Sequence, residues 1–383
     1  MNDATKAPFP ETDATNGGLV SEAAAGAILD IDLGAIRENY RRLKVQLGVV
    51  RCAGVVKADG YGLGASRVAA ALAAEGCTTF FVALLAEGLA LRKALSPQPA
   101  IYVLNGLPPG SEPEAVAAGL SPVINSATQL KAWRGAAHAT GHRQPAAIQV
   151  DSGMSRLGMP PAEVEALARD ATAFDGIDVT LVMSHLACAD EPAHPANERQ
   201  WLVFERLRKM LPEAPASLAN SSGIFLGSAF HFDLARPGAA LYGINPTPAE
   251  PNPMLPVVRL QAKVVQTRRL EKGAGVGYGH AFHAADPLSI ATISLGYADG
   301  WHRRAASAAW VDAVRLPFLG RVSMDSIILD ISALPEGRLH EGDLVELIGP
   351  SQSVDDAAGH AGTIGYEILT SLGPRFHRRY IDG

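Results

Sequence analysis

The fold is decided by the stretch Ala53-Gly-Val-Val-Lys-Ala-Asp-Gly-Tyr-Gly-Leu-Gly64 and by the Ala- and Leu-rich segment Ser66–Ala74 that follows it. The first residues of the stretch, up to Val56, are apolar and partly β-branched, which predicts a short buried strand. Residues 66–74 have the periodicity of an amphipathic helix. A strand that leads through a short connection into a helix is the repeating unit of parallel α/β folds.

The same alternation of strand and helix patterns continues from about residue 27 to residue 242. Eight segments have strand character: Ala53–Lys57, Thr79–Ala83, Ile101–Asn105, Ser121–Ile124, Ala147–Asp151, Thr180–His185, Ala216–Asn220 and Phe232–Arg236. Amphipathic segments between them include Ser66–Ala74, Ser126–Ala139, Ala162–Ala171 and Glu198–Leu211. This pattern predicts an α/β fold of the TIM-type (β/α)8 barrel class, with a doubly wound open sheet as the alternative. An opening helix, Leu33–Leu43, would cover one end.

A change in the pattern of residues after Asn245 indicates a domain boundary. Five prolines lie between residues 246 and 256, and they cannot continue a helix or a central strand. Beyond them, polar and apolar residues alternate as in antiparallel strands in Val257–Leu270, Leu288–Leu295, Val322–Ile331 and Leu344–Ile348. We therefore expect a disordered arm over residues 1–25, a barrel domain over 26–245 and a mostly β domain over 246–383.

The composition excludes several classes of function. The chain has 33 Lys and Arg against 39 Asp and Glu, a formal net charge of −6, so we expect no nucleic-acid or membrane partner. Glu75 and Glu87 lie on either side of the apolar stretch around Phe80, so this stretch is too short to span a membrane. Three cysteines without Cys-x-x-Cys spacing and scattered histidines predict no metal site. No secretion signal is visible, so we expect a cytoplasmic protein.

Lys57 is a candidate for covalent chemistry. It ends an apolar strand, where loss of hydration would lower the pKa of its amine and favour attack on a carbonyl group. The alternative is a lysine whose stem packs on the strand while its ammonium reaches water. Other polar residues at predicted strand ends are Arg156, His185, Asn220, Ser221 and Arg236. In a TIM barrel this end carries the active site.

Two further strings suit a phosphate group. Ala219-Asn-Ser-Ser-Gly223 and Arg236-Pro-Gly-Ala-Ala-Leu-Tyr-Gly243 follow the last two predicted strands, where TIM barrels often bind phosphate, although ordinary turn chemistry would also explain them. A reactive lysine facing a phosphate site points to pyridoxal phosphate, whose ring withdraws electrons from an amino-acid carbanion.

The chain also resembles a known family. Val55-Val-Lys-Ala-Asp-Gly-Tyr-Gly-Leu-Gly64 is similar to the cofactor-lysine signature of the alanine racemases. Further matches are Ile31–Asn39, Asp151-Ser-Gly-Met-Ser-Arg-Leu-Gly158, Ser184–Asp190, Arg236–Gly243, Gly277-Tyr-Gly279, Leu295–Gly300, Gly320–Asp325 and Gly365-Tyr-Glu367. The order and number of these matches make the resemblance specific.

The resemblance implies a role for each site residue. Lys57 would hold pyridoxal phosphate covalently and act as one catalytic base, and Tyr278 from a neighbouring subunit would be the other. Arg236 would contact the pyridine nitrogen, and His185 and Asn220 would lie near the cofactor. The phosphate group would be held by Tyr61, Ser221, Gly238, Ala239 and Tyr366. Arg156 would orient Tyr278 and the substrate carboxylate, the backbone of Met324 would contribute to that carboxylate, and Tyr297 would line the entrance.

These roles predict a homodimeric alanine racemase that interconverts L- and D-alanine and supplies D-alanine for peptidoglycan. The alternatives are a broader alanine/serine racemase, a decarboxylase of basic amino acids on the same scaffold, or a non-catalytic barrel that binds pyridoxal phosphate.

One position departs from the family pattern. Many members have a lysine, in carbamylated form, two residues before the Asp of the Asp-x-Gly-Met motif, where this chain has Gln149. We expect Arg156 to be largely buried, and a buried cation without an anionic partner is costly. The substitution therefore predicts a chloride ion between Gln149 and Arg156.

Overall fold

Apolar and β-branched runs form the strands, and Ala- and Leu-rich runs form most helices. The structure, a computed structural model, describes residues 21–305 and 307–382. The strands are β1 Ala27–Asp32, β2 Arg51–Cys52, β3 Gly54–Val55, β4 Thr79–Val82, β5 Ala100–Val103, β6 Ser121–Ile124, β7 Gln144–Gln149, β8 Ile177–Met183, β9 Ala216–Ser217, β10 Leu234–Ala235, β11 Val258–Leu270, β12 Gly275–Val276, β13 Phe282–His283, β14 Leu288–Ile293, β15 Ala308–Val311, β16 Val314–Pro317, β17 Ile327–Asp330, β18 Leu344–Ile348 and β19 His377–Ile381.

The helices are α1 Leu33–Leu47, α2 Lys57–Tyr61, α3 Ala65–Ala74, α4 Leu85–Ala94, α5 Glu112–Ala117, α6 Ala127–Thr140, α7 Pro161–Ala168, α8 Ala196–Arg208, α9 Val354–Ala361 and α10 Gly365–Ser371. Short 3₁₀ turns cover Ser222–Leu226, Ser228–Phe230, Ala239–Tyr242, Tyr278–His280 and Tyr297–Asp299. Within the described part of the chain, no helix has both the length and the apolar character needed to cross a bilayer. The chain divides into two units, one over Ile36–Leu255 and the other over the remaining described residues.

The first unit is a closed parallel barrel. Strands β3 to β9 form one parallel sheet in sequence order, and β10 pairs in parallel with β2. The Ala53 amide donates to Ala235 at 2.9 Å, and the Arg236 amide donates to Ala219 at 2.9 Å. These bonds join β10 to the neighbouring strand on each side, so that β2 and β3 together act as one of eight barrel strands. The predicted barrel class is confirmed, and the alternative prediction of a doubly wound open sheet is wrong.

Side chains that point into the barrel form an apolar core. It contains Val55, Phe81, Tyr102, Val123, Ala147, Met183 and Leu234, and the rings of Phe81 and Tyr102 stack 5.0 Å apart. Strand side chains alternate between the two faces, so a residue two positions beyond a core residue also faces the interior. Gln149, His185 and Arg236 stand in this relation to Ala147, Met183 and Leu234. The core therefore directs these polar residues to one mouth of the barrel.

The second unit consists mostly of strands, as predicted. Its main sheet has the order β16-β15-β18-β11-β1-β19, and β14 pairs with β11 and β17. The structure differs here from the predicted barrel limit at residue 26, because β1 pairs with β11 and β19 and so belongs to this unit. At the other boundary the division falls after Leu255, close to the predicted residue 245. The predicted arm over residues 1–25 lies mostly outside the described residues.

The barrel interior supports a test of stability. Phe81 is fully buried, so Phe81→Ala should lower the free energy of unfolding by about 3–5 kcal/mol, from lost apolar burial and from the cavity left behind. Urea unfolding measures the change. The control is Val49→Ala at a fully exposed position, which should stay within about 0.5 kcal/mol of the parent protein. Equal unfolding midpoints for the two variants would contradict the core assignment.

Candidate active site

Lys57 lies at the start of an unusual left-handed turn. Ala58, Asp59, Gly60 and Tyr61 all have positive φ, at 52°, 53°, 63° and 56°. Such a conformation costs an L-residue roughly 1–2 kcal/mol, so the surroundings must hold it. The Gly62 amide donates to the Ala58 carbonyl at 2.7 Å, and the Gly64 amide donates to that of Asp59 at 2.8 Å. The sequence showed the glycines of this turn, but it did not predict a left-handed backbone at Ala58, Asp59 and Tyr61.

Glu87 supports this turn from the neighbouring βα unit. Its Oε1 accepts a hydrogen bond from the Ala58 amide at 2.8 Å. Its Oε2 accepts from the amides of Ala83 and Leu84, at 2.7 and 3.1 Å, in front of helix α4. Sequence reasoning missed this function, although a Glu in the first turn of a helix is a common capping signal.

Several basic groups act on one another at the barrel mouth. The pKa of Lys57 is lowered by burial and then by the charge of Arg156, while Glu87 raises it. Burial, followed by the charges of Arg236, Arg156 and Lys57, lowers the pKa of His185 to about 3. His185 is therefore neutral at physiological pH. An anionic ligand fits this mouth because it would relieve the mutual repulsion of the cations.

Arg236 is oriented by neutral oxygen atoms. Its guanidinium is buried, and burial lowers its pKa to about 9. Nη1 donates to the Ser217 hydroxyl, and Nη2 donates to the Ser184 carbonyl at 2.6 Å. The Ser217 hydroxyl donates in turn to the Leu234 carbonyl at 2.5 Å. Both serines were missed by the sequence analysis, because their contact with Arg236 depends on strands that lie far apart in the sequence.

The two predicted phosphate strings meet at the end of the barrel. The Ser221 hydroxyl accepts from the amides of Gly238 and Ala240 at 3.0 and 3.1 Å. A Cβ atom at Gly238 would lie 2.2 Å from the Tyr61 hydroxyl, so a larger residue here would displace the Tyr61 side chain. The Asn220 side chain accepts from the Gly223 amide at 2.9 Å and shapes the same loop. A small group with exposed oxygens, such as a phosphate, suits this cradle.

The remaining predicted site residues lie in the strand-rich unit and are exposed in the single chain. Tyr278 is 68% exposed and lies in the turn between β12 and β13. Tyr366 is 42% exposed and lies in α10. Large aromatic side chains with this exposure are available to a ligand or a partner.

Tyr297 and Met324 lie on two turns that are joined to each other. The Ala298 amide donates to the Met324 carbonyl at 2.9 Å. Arg375 donates to both oxygens of Asp299, at 2.6 and 2.8 Å, and to Asp325 at 2.7 Å. Arg375 therefore ties the turn of Tyr297 to the turn of Met324. The sequence analysis did not single it out.

Comparisons with known proteins agree with this geometry. The family model for the alanine racemase N-terminal domain matches residues 31–246, and the model for the C-terminal domain matches residues 257–380. The chain belongs to the alanine racemase family. It is 79% identical to "Alanine racemase, catabolic" of Mesorhizobium japonicum over the full length of both chains. It is 52% identical to a protein of the same name from Agrobacterium fabrum, covering 94% of each chain.

A solved structure of the family is also similar. The chain is 42% identical to alanine racemase from Bartonella henselae, with a TM-score of 0.90 over 93% of this chain and 100% of that one. The family predicted from the sequence is confirmed, and so is its class of enzyme, an isomerase. A barrel that only binds the cofactor would not need the second domain, which in this chain matches the family model for the C-terminal domain.

At Gln149 the structure agrees with only part of the sequence prediction. Gln149 is 5% exposed and lies at the end of β7. Arg156, however, is exposed in the described chain, so the prediction of a largely buried Arg156 is wrong there. The turn before Arg156 is held by Asp151, whose Oδ1 accepts from the amides of Gly153, Met154 and Ser155.

The neutral His185 predicts a dependence of stability on pH. Unfolded histidine binds a proton below about pH 6.5, whereas folded His185 does so only near pH 3. The stability that His185 contributes is therefore complete above about pH 6.5 and is lost as the pH falls. By pH 5 the loss is about 2 kcal/mol.

His185→Gln removes this titration, so the fall in unfolding free energy between pH 7 and pH 5 should shrink by about 2 kcal/mol. Urea unfolding at the two pH values measures it. The control is substitution of His142, which is exposed on the same unit. An identical pH dependence in wild type and His185→Gln would contradict a neutral His185.

Proposed function

We propose that this chain racemises alanine with pyridoxal phosphate on Lys57 and with Lys57 and Tyr278 as its two bases. The observation that carries the proposal is the group of basic side chains around Lys57, which lies beside the cradle of Tyr61, Ser221 and Gly238. Pyridoxal phosphate is the cofactor of the family and is covalently bound in the Bartonella henselae relative, which confirms the cofactor predicted from the sequence.

The residues present fit this cofactor. When bound, pyridoxal phosphate supplies a ring that withdraws electrons from the α-carbon of the amino acid. Lys57 would bind it covalently, since its lowered pKa makes the free amine more available. His185 and Asn220 would also lie near the cofactor. The phosphate would be held by Tyr61, Ser221, Gly238, Ala239 and Tyr366.

Arg236 would set the electronic behaviour of the site. A guanidinium has only N–H groups and no acceptor, so it can only donate towards the pyridine nitrogen. Ser217 and the Ser184 carbonyl hold it in one orientation. We infer that Arg236 keeps that nitrogen unprotonated, which moderates electron withdrawal and favours racemisation over transamination.

Proton transfer would use opposite faces of the substrate. Racemisation removes a proton from one face of the α-carbon and delivers one to the other, so it needs a base on each side. Lys57 would serve one face and Tyr278 the other. Arg156 would orient Tyr278 and, with the backbone of Met324, bind the substrate carboxylate. Tyr297 would line the entrance.

We further propose a homodimer in which Tyr278 completes the site of the partner. Its 68% exposure in the single chain is consistent with a side chain that another subunit covers. The cytoplasmic location stays a prediction.

The physiological direction of the reaction is a separate proposal. Two relatives, from Mesorhizobium japonicum and Agrobacterium fabrum, carry the name "Alanine racemase, catabolic". We infer from these names a role in the use of alanine as a nutrient. Supply of D-alanine for peptidoglycan stays a prediction, and so does a broader alanine/serine specificity.

A chloride ion beside Gln149 and Arg156 is also proposed. The exposure of Arg156 removes the argument from a buried cation. What supports the ion is the buried Gln149 amide, whose N–H groups can donate to an anion where the family lysine would carry a negative charge.

The shared site predicts complementation between two inactive variants. Lys57→Ala and Tyr278→Phe should each be nearly inactive as alanine racemases. After subunit exchange, hybrid dimers contain one intact site, so an equal mixture should recover about a quarter of the wild-type activity. Borohydride reduction of the wild type, followed by peptide mass analysis, should place the cofactor mass on Lys57.

A mixture of two differently tagged Lys57→Ala preparations serves as the exchange control and should stay inactive. No recovery after verified exchange would exclude a shared site. A cofactor mass on any other lysine would exclude the assignment of Lys57.

The chloride proposal predicts a halide at a defined place. A crystal soaked in bromide should show an anomalous peak beside Gln149, and a Gln149→Ala crystal should lack it. Racemase activity should fall when chloride is replaced by a bulky anion at constant ionic strength, and bicarbonate should not change it. Absence of both the peak and the halide dependence would contradict the chloride proposal. Direct contact between the Gln149 amide and Arg156 would then be the better explanation.

A further inference from the structure

Three helices of the barrel, α4, α6 and α7, make the same kind of contact with the preceding βα unit. In each, the side chain of the third helical residue reaches a backbone group that follows the strand of that unit. Gln129 of α6 donates to the Asn105 carbonyl at 3.2 Å, and Glu163 of α7 accepts from the Ala127 amide. Glu87 of α4 accepts from the Ala58 amide at 2.8 Å. Each of these contacts joins two successive βα units at the carboxyl ends of their strands.

The Glu87 contact differs from the other two in what it holds. Its partner Ala58 follows Lys57 directly and is the first left-handed residue of the turn, with φ of 52°. A bond to the Ala58 amide fixes the peptide group that joins Lys57 to Ala58. The other oxygen of Glu87 is anchored on the amides of Ala83 and Leu84, so the carboxylate is held rigidly.

We propose that Glu87 is a positioning residue for Lys57, which it orients by holding the Ala58 amide in the left-handed turn. The inference rests on the proposed function, in which Lys57 binds pyridoxal phosphate. Glu87 does not touch the cofactor in this proposal. It acts through the backbone and leaves the Lys57 amine free to condense with the cofactor aldehyde, with release of water.

The charge of Glu87 provides a second effect that can be measured. Burial and then the charge of Arg156 lower the pKa of Lys57, whereas the charge of Glu87 raises it. His185 is neutral at physiological pH, and the Asp59 carboxylate accepts from the Ala65 amide. Removal of the Glu87 charge should therefore lower the pKa of Lys57 further.

Glu87→Gln separates the two functions of the side chain. Glutamine can keep the capping contact in front of α4, because its carbonyl oxygen still accepts from Ala83 and Leu84. Its NH2 group would then face the Ala58 amide, where two donors cannot bond. The matched control is Glu163→Gln, which makes the same change at the same helix position but affects Ala127, beside no proposed site residue.

The experiment follows attachment of pyridoxal phosphate to the full-length apoprotein across a range of pH. Absorbance gives the rate, and borohydride with mass analysis confirms Lys57 as the site. At the high-pH plateau, where the amine is neutral, Glu87→Gln should react roughly tenfold more slowly because Lys57 is misdirected. The pH at which the attachment rate is half-maximal should be lower for Glu87→Gln than for the wild type. Glu163→Gln should match the wild type in both quantities.

A second substitution tests whether the turn transmits the effect. Glycine adopts positive φ without strain, so Ala58→Gly should restore part of the lost rate in the Glu87→Gln background. If Glu87→Gln alone does not fold, the double variant takes its place in the comparison with the wild type. Its pH midpoint should still be lowered, because the charge is still absent.

The outcomes separate this inference from the proposed function. If the wild type does not attach the cofactor at Lys57, the proposed function fails. If the wild type reacts but Glu87→Gln has the same plateau rate and midpoint, Glu87 does not position Lys57. A slower Glu87→Gln variant that Ala58→Gly does not rescue would show that the left-handed turn is not the route of the effect.

Discussion

Closure of eight parallel strands is the constraint on which the barrel site depends. Parallel strands end on the same side, and closure brings the ends of the first and last strands together. The amides of Ala53 and Arg236 bond across the two seams beside β10, so Arg236 lies in the ring of strand ends that also contains Gln149 and His185. In an open sheet the first and last strands would not meet, and the contacts around Arg236 would not form.

The same ring concentrates positive charge with little to offset it. Arg236 is buried against a hydroxyl and a carbonyl, and His185 remains neutral because burial, and then the charges of Arg236 and Arg156, lower its pKa. A site of this kind favours an anionic ligand. A bound phosphate and a substrate carboxylate would supply negative charge, which links the electrostatics of the barrel to the chemistry of its family.

The two units solve different problems. The barrel fixes its polar groups on strand ends and on a strained turn, and this rigidity suits covalent attachment and orientation. The strand-rich unit presents Tyr278 and Tyr297 on short turns, and Arg375 with two aspartates locks the turn of Tyr297 to its neighbour. Tyr297 is therefore an exposed aromatic residue on a locked turn of its own unit.

Patterns in the sequence predicted the barrel class, the strand-rich second domain and the family, and they made Lys57 a candidate for covalent chemistry, because strand periodicity, glycine spacing and ordered motifs are local signals. The sequence did not determine that β1 joins β19, whose residues lie about 350 positions away, since pairing of distant strands leaves no local trace. Nor did it reveal the contacts of Arg236 with Ser184 and Ser217, or that of Glu87 with Ala58. Those contacts exist only after the barrel has closed, when the ends of separate strands come within hydrogen-bonding distance. The left-handed conformation of Ala58 and Tyr61 was also decided by the tertiary structure, because their intrinsic preference is for the opposite hand.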